Sequence, residues 1–367
     1  KLIDLISTIN FDENSASDVL GEVYEYFLGE FALAEGKKGG QFYTPPSVVK
    51  TLVEILNPLE GRVYDPCCGS GGMFVQSEKF VQSHGGKVDD ISIYGQESNP
   101  TTWRLAAMNM AIRGFSADLG KIADDTFGND QFPDLKFDHI LANPHFNDSS
   151  WGGEKFENDV RWKYGRPPNG NANYAWVQHI LWKLNPLGRA AIVLANGSLT
   201  SDTGGEDEIR KNLINDRKVE TILLFPAKLF LNTQISVCVW FLNNSSDLDE
   251  ILFIDARELG LQDPDRRTQL FLPDEHIDLI KNEYEKWKEK KDYVPKSGFT
   301  KNVSIEKIKE KKFNLNPLAY IDYSKKDNQD ILENKNLEEL INEFKKIETE
   351  NKSISESLFN LFDKMNK

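Results

Sequence analysis

The chain has 367 residues, which suggests two domains at about 150 residues each and is enough to bury a sizeable core without disulfides or structural metals. Hydrophobic residues make up 39% and charged residues 28%, a balance that excludes global disorder. With 58 acidic against 44 basic residues the net charge is −14, which excludes a stand-alone nucleic-acid clamp, because phosphate contacts supply most non-specific affinity.

If DNA is the substrate, local basic loops or a second subunit must hold it. No apolar run approaches the roughly 20 residues that span a bilayer, and the opening stretch does not read as a secretory leader. The cysteines are Cys67, Cys68 and Cys238. Two are adjacent, the number is odd and no metal-ligand spacing appears. The expectation is a cytoplasmic protein with no disulfide framework and no metal.

The chain opens on a helical pattern, with Val19, Leu20, Val23, Tyr24, Phe27 and Leu28 on one face. A Gly/Lys loop and the run Gln41-Phe42-Tyr43-Thr44-Pro45-Pro46 follow, the prolines suiting entry into a helix. From Gly61 onward strand and helix patterns alternate. Strands are predicted at 62–64, 91–94, 137–142, 190–195, 221–225 and 235–242, with helices at 101–113, 174–184 and 206–215 between most of them. Such alternation implies an α/β fold with a mostly parallel sheet covered on both faces. The connection between the last two strands is too short for a helical crossover, which predicts one antiparallel strand near the sheet edge. Beyond Gly260 the composition shifts. The mixed-charge run 281–291 reads as a solvated helix face. In the tail, Leu337, Leu340, Phe344, Ile347, Ile354, Leu358, Leu361 and Met365 repeat at steps of three and four, with Asn351 in the one polar slot. That is a coiled-coil pattern of about four heptads and suggests a partner helix; an amphipathic helix packed on its own domain has the same pattern.

The segment from Val63 to Phe74 reads strand, tight glycine loop, helix. Gly69, Gly71 and Gly72 permit close approach of a ligand to the backbone, and the helix start offers unpaired N–H groups. The spacing fits neither the dinucleotide-binding pattern nor a phosphate-binding loop with Lys. A second strand leads to Glu97, at a distance that suits an acid accepting from two ribose hydroxyls. A third ends in Asn143-Pro144-His145-Phe146.

Asn143 to Phe146 resembles the Asn-Pro-Pro-aromatic motif of amino-group methyltransferases that use S-adenosylmethionine. Asp65-Pro-Cys-Cys-Gly-Ser-Gly-Gly resembles their cofactor loop, and Gln41 to Pro46 stands where the adenine-specific γ class carries its methionine-contacting motif. Together with the runs 94–106, 171–176, 194–199, 232–238, 253–257 and Asn314-Leu-Asn-Pro, the likeness is to the modification subunit of type I restriction–modification systems. It covers about residues 15–260. It implies a Rossmann-like methyltransferase domain over 41–260, a helical remnant over 1–40 and a C-terminal helical region over 261–367 for subunit association. It also implies methylation of the N6 amine of adenine in DNA, with the sequence chosen by a separate specificity subunit docked on the C-terminal helices. A second copy of this subunit and a restriction or motor subunit are further implied partners.

In those roles Asn143 and the Pro144 carbonyl accept hydrogens from the weakly nucleophilic adenine amine, favouring positive charge on nitrogen. Phe146 stacks on the flipped base. No metal or covalent nucleophile is needed. Gln41, Phe42, Tyr43, Thr44, Pro45 and Pro46 approach the cofactor, as do Asp65, Gly69, Ser70, Gly71 and Gly72, with Glu97 on its ribose and Asp125 toward its adenine. The family has Pro where this chain has His145, which restores a backbone N–H and frees φ. An inactive cofactor-binding subunit is therefore one competing reading, and a glutamine-directed protein methyltransferase is another. The loop 151–168 mixes Arg161, Lys163 and Arg166 with Trp151, Trp162 and Tyr164, a composition suited to a nucleic-acid strand.

Overall fold

In the computed structural model, residues 20–21, 23–24, 26–28, 44–230, 234–245, 247–264, 266–289 and 293–324 are described. The first full helix, α1 (Pro46–Leu56), starts where the two prolines predict: Pro46 supplies a helical φ and lacks the N–H that a first turn leaves unpaired. Its apolar residues Val48, Val49, Leu52, Val53, Ile55 and Leu56 are all buried. Then follow β1 (Gly61–Asp65), α2 (Gly72–Ser83), β2 (Ile91–Gly95), α3 (Pro100–Arg113), β3 (Ala117–Asp118) and β4 (Phe137–Ala142). The second half contains α4 (Asn173–Lys183), β5 (Leu184–Ala195), α5 (Glu206–Asn215), β6 (Val219–Leu224), β7 (Val237–Asn243) and β8 (Glu250–Asp255). A short hairpin of β9 (Leu261–Gln262) and β10 (Leu270–Phe271) precedes α6 (Asp274–Lys288), β11 (Thr300–Ser304) and α7 (Ile305–Glu310).

Nine strands form one sheet in the order β11-β8-β6-β7-β5-β4-β1-β2-β3. Neighbours from β5 through β3 run parallel, as do β6 and β8. The antiparallel strand foreseen from the short connection is β7. It lies between β5 and β6 rather than at the rim, because β8 and β11 carry the sheet further, and β11 adds an antiparallel edge. Strands β6 and β7 are buried at every position, which is why they read as unbroken apolar runs rather than alternating ones.

The described residues as far as Ile321 belong to one compact unit, so the sheet draws on chain beyond residue 260. Helix α6 is amphipathic. Its lysines and glutamates are interleaved with Ile277, Ile280, Tyr284 and Trp287, which are buried at steps of three and four. It is pinned to α1 by Lys281–Glu54 (2.7 Å) and Lys50–Asp274 (2.8 Å). Under it Glu220, wholly buried on β6, accepts from Arg189 (2.7 Å), Tyr284 (2.7 Å), Lys288 (2.8 Å) and Asn243 (2.9 Å). The heptad pattern from Leu337 to Met365 lies outside the described residues, as do Gln41, Phe42 and Tyr43. Among the described residues no helix is long and apolar enough to cross a membrane.

Candidate active site

Strands β1, β2 and β4 are parallel neighbours, so their C-terminal ends open along one edge of the sheet, where ligands of such folds bind. The glycine loop follows β1, Glu97 follows β2 and Asn143 follows β4. A cavity of about 330 Å³ lies at that edge, with Gly69, Glu97, Asp125 and Asn143 in its wall. The size is that of a small-molecule site.

The glycine loop is tied down from several sides. Cys68 N–H donates to the Gln96 carbonyl (2.8 Å) and Gln96 N–H to the Asp65 carbonyl (3.0 Å). Asn109 of α3 donates to the Ser70 carbonyl (2.9 Å), and Thr126 Oγ1 donates to the Pro66 carbonyl (2.6 Å). Gly71 takes φ +84°, and a Cβ there would stand 2.8 Å from Met110 Cε, so this turn requires glycine. Gly72 opens α2. Asp65 is buried and accepts Cys67 N–H (2.9 Å). Burial pushes its carboxyl up to about 7, against the hydrogen bonds from Cys67 and with help from the nearby Glu97 charge. Burial also drives the Cys67 and Cys68 thiols well above their usual range, so neither is a nucleophile at neutral pH.

Glu97 is only 8% exposed, and its two oxygens accept from separate backbone donors: Gly69 N–H at 3.1 Å and Asn99 N–H at 2.7 Å. Asp125 stands in the wall, but its carboxylate also closes its own turn, accepting from Phe127 (3.2 Å) and Gly128 (2.9 Å) N–H. At the end of β4, Asn143 Nδ2 donates to Thr44 Oγ1 (2.9 Å), which ties Thr44 to the site. Asn143 Oδ1 is buried with no hydrogen-bond partner among the described residues. An orphaned buried acceptor is costly, and its presence at a cavity marks a place for a donor.

Not every expected residue meets there. Pro144 is buried and His145 is exposed in the wall. Phe146 is half-buried with its ring edge-on to Phe230 (centroids 6.2 Å apart), away from the lining residues. Pro45 and Pro46 line a different cavity, of about 500 Å³, beside the β9–β10 hairpin. Four wall residues carried no signal of their own in the sequence: Phe127, Asp148, Lys155 and Trp176. Only Trp176 lay inside a family-like run. The wall carries three acids, Glu97, Asp125 and Asp148, against the single ammonium of Lys155. That donor and charge set suits hydroxyls, amines and a cationic ligand better than a phosphate.

The basic and aromatic loop after Asn143 is paired and packed within the protein. Arg161 is buried and donates to Asp159 (2.6 and 2.8 Å) and the Phe127 carbonyl (2.8 Å). Lys163 pairs with Asp216 (2.9 Å) and Arg166 with Glu157 (2.7 Å). Trp151, Phe156 and Trp162 pack on one another and on Phe127. Composition showed the cations and rings but not the acids that meet them: Arg161 braces the cavity wall from inside, while Lys163 and Arg166 stay exposed in their pairs.

A family model described as N-6 DNA Methylase matches residues 15–330. The chain is 50% identical over 307 residues to the type I restriction enzyme HindI methylase subunit of Haemophilus influenzae, covering 83% of this chain and 69% of that protein. It is 39% identical over 332 residues to the MjaIX methylase subunit of Methanocaldococcus jannaschii, covering 87% of this chain and 59% of that one. Among solved structures, the type I restriction–modification methyltransferase subunit from Streptococcus thermophilus superposes with a TM-score of 0.75 at 29% identity, over 86% of this chain and 66% of that one. The parallel sheet, the acid after β2 and the asparagine after β4 thus occur in a chain that belongs to the N-6 DNA methylase family, among the methylase subunits of type I restriction–modification enzymes.

Proposed function

We propose that the cavity at the end of β1, β2 and β4 is where this chain methylates the N6 amine of adenine in DNA, with S-adenosylmethionine as the methyl donor. The observation that carries this reading is Asn143 Oδ1, a buried acceptor at the end of β4 with no donor among the described residues. The adenine amine supplies such a donor. Its lone pair is delocalised into the ring, so an acceptor on its hydrogens favours the charge that builds on nitrogen as it attacks. The Pro144 carbonyl is the second acceptor in this proposal, and Phe146 stacks on the base once its ring leaves Phe230.

The cofactor supplies an electrophilic methyl group on a sulfonium. The residues fit such a group: Glu97 accepts its ribose hydroxyls, Gly69 of the glycine loop lies in the wall beside it, and the acidic wall favours its positive charge. Asp125, whose two oxygens each take one N–H of its own turn and keep lone pairs to spare, is assigned to the purine side. Transfer then needs mainly proximity and alignment from the protein. The family places the subunit in a type I complex, and we assign sequence choice to a specificity subunit, met through the C-terminal heptads and alongside a second copy of this chain. The pairing of Arg161, Lys163 and Arg166 with acids agrees with DNA being held largely by another subunit.

The test is transfer of tritiated methyl to duplex DNA, with and without the specificity subunit encoded beside this gene. Label in N6-methyladenine that needs the partner, and that Asn143→Ala abolishes while cofactor binding remains, supports the reading. Label that survives Asn143→Ala refutes it.

A further inference from the structure

The Asn143 side chain ends in an oxygen and an NH₂ of nearly equal size and opposite hydrogen-bonding sense. Only one orientation is productive, since an NH₂ turned to the adenine amine would meet another donor. The Asn143 backbone does not choose between them. In the structure Nδ2 donates to Thr44 Oγ1 at 2.9 Å and Oδ1 has no partner among the described residues; a hydroxyl can also donate, so the contact holds the amide in place rather than choosing its sense.

Thr44 sits on a firm mount. It is followed by Pro45 and Pro46, and the Pro45 carbonyl accepts the Val48 and Val49 N–H groups at 3.0 and 3.2 Å to start α1. That helix is buried along Val48, Val49, Leu52 and Val53. The hydroxyl is therefore held by the core, 99 residues away in sequence from the asparagine it meets.

We propose that Thr44 is a positioning residue for methyl transfer: its hydroxyl accepts from Asn143 Nδ2 and so tethers the amide at the end of β4, where Oδ1 meets the adenine amine. The inference rests on the reading of Asn143 given above and adds to it a residue that acts through the amide. Removing the hydroxyl leaves Nδ2 without its acceptor and lets the amide turn, which lowers the rate of transfer beyond any effect on the hold on cofactor.

The experiment compares Thr44→Val and Thr44→Ser in the full chain assembled with its specificity subunit. It records kcat, KM for S-adenosylmethionine, the thermal midpoint and the fluorescence of 2-aminopurine placed at the target adenine. Thr44→Val is expected to lower kcat about tenfold or more, over and above any rise in KM for S-adenosylmethionine. Thr44→Ser, which keeps the hydroxyl, should restore most of the rate. The proposal is overturned if Thr44→Val keeps kcat within about twofold. It is equally overturned if the loss lies wholly in KM or in the thermal midpoint, or if serine does no better than valine. Methylation that survives Asn143→Ala alone would instead overturn the parent reading.

Discussion

Glu97 accepts the Gly69 N–H at 3.1 Å, so the acid at the end of β2 and the glycine loop after β1 are held as one piece. The other carboxylate oxygen takes the Asn99 N–H at 2.7 Å, which leaves both oxygens fixed in direction with lone pairs to spare. Substituting Glu97→Gln keeps the size and removes one acceptor and the charge. The dissociation constant for S-adenosylmethionine, followed by calorimetry, should rise by about 10- to 100-fold, the value of one or two charge-assisted bonds. An unchanged constant would remove Glu97 from the cofactor site.

His145 is exposed in the cavity wall, where the family motif has proline. Histidine differs there by a backbone N–H and a freer φ, while Asn143 and Phe146 are unchanged. His145→Pro is therefore expected to change the single-turnover methylation rate by no more than about threefold. A rise from near zero to a normal rate would mean that the natural chain is a cofactor-binding subunit without catalysis.

The parts of the site legible in the sequence are those set by short stretches. Gly71 needs a positive φ and Asn143 ends an apolar strand, and both can be seen within a few residues. What was not legible depends on distant partners. Phe146 meets Phe230, and the rim strand β11 meets β8 across about fifty residues, pairings that no local pattern encodes. The run 281–291 looked solvated because its lysines and glutamates outnumber Tyr284 and Trp287, which pack inward together with Ile277 and Ile280 ahead of the run. In the same way, the cations of the loop 151–168 were visible while the acids that neutralise them were not distinguishable from surface charges.

Arg161 gives that last point a test. It is 8% exposed and bound to Asp159, the Phe127 carbonyl and the His179 ring. Arg161→Ala would leave Asp159 and that carbonyl without their donor. A loss of about 2–4 kcal/mol in unfolding free energy is expected from denaturant titration. The salt dependence of DNA binding by the assembled complex should keep its slope, whereas a phosphate contact would reduce it by about one unit.

Two buried carboxyls should act on stability in opposite senses and in separate pH windows. Glu220 is held at about 2, below its ordinary 4.5, because Arg189 and Lys288 outweigh its burial. Its folded-state pKa is depressed, so its contribution is present above pH 4.5 and lost as pH falls through 2. Glu220→Gln should cost about 3–5 kcal/mol at neutral pH by stranding Arg189, with little from Lys288, which is half exposed. Asp65 is raised from 3.8 to about 7, first by burial, so the folded chain holds a proton that the unfolded chain has lost. Its contribution is complete below pH 3.8 and is lost as pH rises through 7. Asp65→Asn should flatten the fall in stability between those values, seen as a denaturation midpoint that no longer drops toward pH 8. Glu97→Gln should move the upper end of that fall slightly lower, because the Glu97 charge helps burial to raise the Asp65 carboxyl but is the smaller of the two causes.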